Sequence, residues 1–206
     1  YNNMAHVIKK HYSFPTLISE FRYDIPEEMK QCILNQDYNV SDAFPFFTNQ
    51  TINTGLDKLK EFQGFVTKIL DTTKELCEMY NYKYKKLDIT NLWVNVSKKG
   101  SAHNPHTHSN NIFSGVWFPF ENVSNTPIIF QDPRPANGVM QPYTETPNEY
   151  TATMKAFQPN KSVGLIFPAW LMHYGPPSNN KRVSISWNIL LRGEYGSPTH
   201  LQNAHI

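Results

Sequence analysis

Cysteine is almost missing from this chain: Cys32 and Cys77 are the only two among 206 residues. They stand far apart and outside any CxxC pair, which excludes a disulfide framework and a thiolate metal site. Two buried free thiols in a reducing cytoplasm are expected instead. No run approaches the ~20 consecutive apolar residues that a membrane-spanning helix needs. Nor is one sign of charge concentrated, since 19 Lys and Arg offset 17 Asp and Glu without a basic block. A nucleic-acid footprint is therefore not expected. The first residues show no charged segment leading into an apolar core, so no secretory leader is expected either. Repeats and low-complexity segments are lacking as well. The length suits a single sizeable domain, and the expected ligand is a small molecule or a protein.

What the chain does have changes character partway along. Residues 5–23 alternate loosely and break at Pro15, as one or two short edge strands would. His6 and His11 fall there without a partner at metal-site spacing. Asp24 is placed to cap a helix over 24–35, with Pro26, Glu27 and Glu28 in its first turn. Residues 36–53 are polar and turn-rich and read as a surface loop. A longer helix is expected over about 55–79, where Leu56, Phe62, Phe65, Ile69 and Leu76 recur at helical spacing. From residue 87 onward come short β-rich runs at 87–97, 104–108, 112–120, 126–131, 151–157, 163–168 and 181–192, with Pro, Gly and Asn clusters between them. Helices first and then many strands, with no βαβ alternation, predict a mainly β domain with N-terminal helices: an antiparallel sandwich or barrel backed by helices. The expected division is a supporting segment over 1–86, a core over 87–193 and a tail over 194–206.

The chemistry centres on HNPHTHSNNIFSGVWF, residues 103–118. His106 and His108 are one residue apart, so an extended backbone puts both imidazoles on one face, where they can share a metal ion. A third ligand is available from His173, just beyond the apolar run LIFPAWLM. Nine positions later come Arg182 and Ser184, again one apart. A guanidinium fork beside a metal site is a natural partner for a carboxylate, and Ser184 can add a hydroxyl. His103 is either a group supporting the ligands from behind or the exposed start of the loop, the second being favoured because most lone histidines need no special role. Asn95 is either a donor to a bound ligand or a strand-end residue facing solvent.

HxH at 106–108, SGVWF at 114–118, GLIFPAWLMH at 164–173 and RVSISWN at 182–188 follow one another in an order that resembles the family of 2-oxoglutarate and Fe(II)-dependent oxygenases of bacteria and phages. The likeness covers roughly residues 90–192, with FPT at 14–16 and Trp93-Val94-Asn95 also similar. It implies a double-stranded β-helix, or jelly roll of cupin-like form, that holds Fe(II) in its mouth. It also implies a cytoplasmic enzyme of a bacterium or of a phage-infected host cell. By the same likeness His106 is the proximal ligand, His173 the distal ligand, Arg182 the residue that grips 2-oxoglutarate and Ser184 its companion. O2 would be the second co-substrate, and hydroxylation of a C–H bond with release of succinate and CO2 the reaction.

The departure is at position 108, where the family usually carries a carboxylate. Either His106, His108 and His173 form an all-imidazole triad, or a carboxylate from another loop completes the site, Asp132 being the best placed; the strand period favours the first. Rival readings are a zinc-dependent hydrolase or hydratase on the same histidines and a non-catalytic jelly roll that binds or builds. The first leaves Arg182 and Ser184 without a task. The primary substrate is not legible, though residues 36–53 and 132–150 are expected to shape its pocket.

Overall fold

The computed structural model describes residues 9, 11–39, 48–121, 124–197, 199 and 201–206. His6, the first part of the 5–23 segment and residues 40–47 of the expected surface loop lie outside them. In chain order the elements are β1 (Ser19–Arg22), α1 (Glu27–Leu34), β2 (Tyr38–Asn39), β3 (Asn49–Thr51), α2 (Gln63–Met79), β4 (Lys86–Ser97), β5 (His103–His106), β6 (Phe113–Trp117), β7 (Ile128–Gln131), β8 (Met154–Phe157), β9 (Val163–Pro168), β10 (His173–Gly175), β11 (Arg182–Arg192), β12 (Glu194–Tyr195) and β13 (Ala204–His205). Single 3-10 turns precede α2 at Leu56–Lys58 and Lys60–Phe62 and follow β7 at Pro135–Gly138.

A large antiparallel sheet runs β1-β9-β6-β11-β4-β3-β2, and a small one runs β5-β10-β7-β8. This is the double-stranded β-helix, with α1 and α2 covering the outer face of the large sheet. Alternation explains the layers. In β11, Ile185, Trp187, Ile189 and Leu191 join the helix-side core, together with Phe113 and Trp117 of β6. The residues between them, Arg182, Ser184, Ser186 and Asn188, turn toward the space between the sheets. That inner face is polar yet buried, since Arg182, Ser184, Asn95, Ser97 and Ser114 are each at most 5% exposed. A second apolar cluster, built around Val116, Phe130, Leu165 and Phe167, fills the rest of the gap.

Helix α2 is pinned by Phe65, whose ring lies 4.3 Å from Trp117 and meets Trp187 edge-on at 5.5 Å. Gly115 makes this packing feasible, because any Cβ there would collide with the Trp187 indole. Several local expectations need correction. Asp24 does not cap α1, whose first turn has no side-chain cap; its carboxylate accepts a hydrogen bond from Ser162 at 2.6 Å and ties the chain to the large sheet. Within the expected surface loop, β2 and β3 pair as a hairpin and extend the large sheet onto β4. The helix over 55–79 begins only at Gln63, its first turns being 3-10. No helix among the described residues is long and apolar enough to cross a membrane, and Cys32 and Cys77 are both free.

Candidate metal centre

The pairing of β10 with β5 sets the centre. His173 stands directly opposite His106 in the register, and the backbone N–H of His108 donates to the carbonyl of Ala169 at 2.8 Å. The three imidazoles thus converge at the mouth of the small sheet. Their ring centroids lie 4.4 Å apart for His106 and His173, and 5.1 Å for each pair that includes His108. One ring nitrogen of each falls within 4.8 Å of those of the others, and this is the sole grouping of potential metal ligands among the described residues.

The surrounding backbone fixes which nitrogens face the centre. Nδ1–H of His106 donates to Asn104 O at 2.7 Å, and Nδ1–H of His173 donates to Leu171 O at 2.9 Å. Each bond leaves an Nε2 lone pair pointing inward, as a ligating histidine requires. Nε2 of His108 and Nε2 of His173 are 3.3 Å apart. Bonds of ~2.1 Å from one metal at angles of 90–110° would separate two nitrogens by roughly 3.0–3.4 Å, so the spacing fits a shared ion. Burial pushes His108 down to about 4 and His173 down to about 3, nearby imidazoles adding to the effect in both. At neutral pH both are unprotonated and competent as ligands.

Arg182, the first residue of β11, lines the same cavity of about 90 Å³. Its Nη1 donates to Thr126 O at 2.8 Å, while its buried Nε has no partner. Among the described residues no carboxylate pairs with it, and none lines the cavity. A buried guanidinium left this way is costly. An incoming carboxylate group would relieve it, which makes the site a fit for 2-oxoglutarate. Ser184, two residues along the same face, lines the same cavity.

Asn95 sits opposite Ser184 and is buried, not solvent-facing. Its Oδ1 accepts from Trp93 Nε1 and from Gln50 Nε2, each at 3.0 Å, and its Nδ2 donates to Ser186 at 3.0 Å. Asp132 is elsewhere: its carboxylate clamps the Arg134 guanidinium, with Nη2 to Oδ2 at 2.7 Å, and braces a turn. Of the two sequence readings of His103, the favoured exposed one is overturned, since the residue is half-buried and lines the cavity; the sequence reading gives no role to Gly175 or Gln50.

Residues 91–188 match the model of the family described as "Putative 2OG-Fe(II) oxygenase". No curated protein matches the sequence. Among solved structures, a prolyl-4-hydroxylase of Pseudomonas putida is similar at a TM-score of 0.59 and 10% identity, over 86% of this chain and 94% of that one. A 2OG-Fe(II) oxygenase family oxidoreductase of Burkholderia pseudomallei aligns at a TM-score of 0.57 and 11% identity, over 84% of each chain. HygX of Streptomyces hygroscopicus, solved with nickel, 2-oxoglutarate and hygromycin B, aligns at a TM-score of 0.57 and 10% identity, over 85% and 83%. These likenesses carry the fold, and the family match carries the chemistry. Residues 91–188, just under half of the chain, thus match the 2-oxoglutarate/Fe(II) oxygenases, oxidoreductases whose cofactors are Fe(II) and 2-oxoglutarate.

Proposed function

We propose that the protein is a dioxygenase that hydroxylates an organic substrate in the cytoplasm, converting 2-oxoglutarate and O2 to succinate and CO2, with His106, His108 and His173 as the metal ligands. The observation that carries this reading is Arg182, a buried cation with an unpartnered Nε beside three imidazoles in a cavity lined by no carboxylate. A zinc hydrolase would leave that cation without an anion.

Iron and 2-oxoglutarate, when bound, supply the oxidising power for the C–H bond, and the protein's residues supply orientation. The three imidazoles hold the metal at the mouth of the small sheet. Arg182 and Ser184 would hold the far carboxylate of the co-substrate in the cavity that the three histidines also line. Asn95, braced by Trp93, Gln50 and Ser186, has one amide proton left to donate to the co-substrate. Phe118, Ile128 and Phe167 line the same cavity and keep water from the reacting centre. Trp170, 57% exposed and three residues before His173, together with residues 132–150, forms the substrate side. All of these parts fall in one folding unit spanning the chain, with its catalytic core over 87–193.

Anaerobic titration of the Fe(II)-loaded protein with 2-oxoglutarate tests the reading. A weak visible metal-to-ligand band, followed by succinate when O2 is admitted, is expected. Absence of the band, with zinc tightly held in its place, would return the site to the hydrolase reading.

A further inference from the structure

His103 lies where a regular strand would not put it. Residues 103 and 106 are three apart, so in uniform β-structure their side chains take opposite faces. In the pairing with β10, however, His106 stands opposite His173 and His103 opposite Gly175. Three steps on β5 therefore match two on β10, a bulge of one residue. The extra residue reverses the alternation, and both His103 and His106 line the cavity.

His103 is not a fourth metal ligand, because the cluster of converging ring nitrogens comprises His106, His108 and His173 without it. It lies beside Arg182 instead. A Cβ built on Gly175 would fall 3.1 Å from Arg182 Nη2 and 3.5 Å from His103 Nδ1, so the guanidinium and the imidazole crowd the same point of β10. Glycine leaves them both room. Burial, and secondarily the Arg182 charge, pushes the His103 ring down to about 4. At neutral pH it is therefore an uncharged donor that does not repel Arg182.

We propose that His103 is a second anchor for the carboxylate that Arg182 grips, donating a ring N–H to the far carboxylate of 2-oxoglutarate and thereby helping the site select a dicarboxylic over a monocarboxylic 2-oxo acid. This inference rests on the oxygenase reading. It adds an imidazole, positioned by the bulge, to the Arg182 and Ser184 pair.

The test compares 2-oxoglutarate with 2-oxopentanoate, which keeps the keto acid end and the five carbons but replaces the far carboxylate by a methyl group. Both are titrated calorimetrically, without O2, into Fe(II)-loaded wild-type protein and into His103→Phe and His103→Gln. His103→Phe is expected to weaken 2-oxoglutarate about tenfold, the usual scale for a hydrogen bond to a charged group. Its affinity for 2-oxopentanoate should stay within about twofold. His103→Gln, which retains an N–H donor, should recover most of the loss. Equal weakening of both oxo acids, or no change in either, overturns the proposal. Where His103→Phe fails to hold iron, His103→Leu is measured in its place and judged by the same ratio. Failure of the wild-type protein to bind 2-oxoglutarate at all would overturn the oxygenase reading and this inference together; normal wild-type binding with an indifferent His103 would overturn the inference alone.

Discussion

His106 and His173 face one another across a strand pair, and Arg182 reaches the same cavity from the opposite sheet, so metal binding and co-substrate binding are separable by single substitutions. His106→Ala and His173→Ala are each expected to lose iron altogether, measured as metal content after gel filtration. Arg182→Ala should keep the iron and weaken 2-oxoglutarate by tenfold or more, because a charged hydrogen-bonded pair is lost. Iron retained at full stoichiometry in the His173 variant would sink the triad. His108→Asp is the sharpest substitution at this scale: iron binding that persists or tightens in the same assay puts residue 108 among the ligands, whereas unchanged affinity in His108→Ala would remove it. Much of this was legible in the sequence. His106 and His108 carry their own spacing, and Arg182 and Ser184 repeat it. His103 was legible only as the less favoured of two readings, because the bulge that turns it inward exists only in the pairing with β10. Asn95 was half legible: its place on a strand was readable, but its burial under Gln50 depends on the hairpin of β2 and β3.

At the scale of elements, the N-terminus of α2 has no side-chain cap and is held by aromatic packing, whereas its C-terminus is closed by the backbone, Asn81 at φ 53° letting Tyr82 N–H donate to Cys77 O at 2.8 Å. Phe65 is fully buried between Trp117 and Trp187. Phe65→Ala is therefore expected to cost about 3–5 kcal/mol in urea unfolding, without changing the number of metal ions bound by the folded fraction. A cost under 1 kcal/mol would show that α2 contributes little to the stability of the large sheet. The helical stripe predicted this contact face directly, because period 3.6 is a local property of the chain. Strand β10 went unpredicted although it carries His173. It is three residues long, followed directly by Pro176, and exists because β5 and β7 flank it on both sides.

For the whole molecule, burying neutral histidines ties stability to pH. The native rings of His108 and His103 titrate at about 4 and that of His173 at about 3, whereas an unfolded histidine titrates near 6.5. Between those limits the unfolded chain binds protons that the native chain refuses, so stability falls as pH falls. The metal-free protein is thus expected to lose urea resistance steadily from pH 7 toward pH 4. His173→Gln, having one fewer titrating group, should flatten the curve, and an unchanged slope would remove His173 as a source of it. Added metal shifts the midpoint upward by mass action at pH 7 and progressively less in acid, because protons compete for the same nitrogens.

The register that sets His106 opposite His173 also bears on how the protein opens and closes. β5 is an edge strand of four residues, joined on one side to a strand of three. So short a ladder frays readily when nothing else holds it. An ion bound by both strands acts as a rivet across that ladder, and the amide protons of β5 and β10 should then exchange with solvent deuterium far more slowly than in the metal-free chain. On that reading the mouth of the small sheet would be rigid with the metal bound and loose without it, and equal exchange rates in the two forms would refute it.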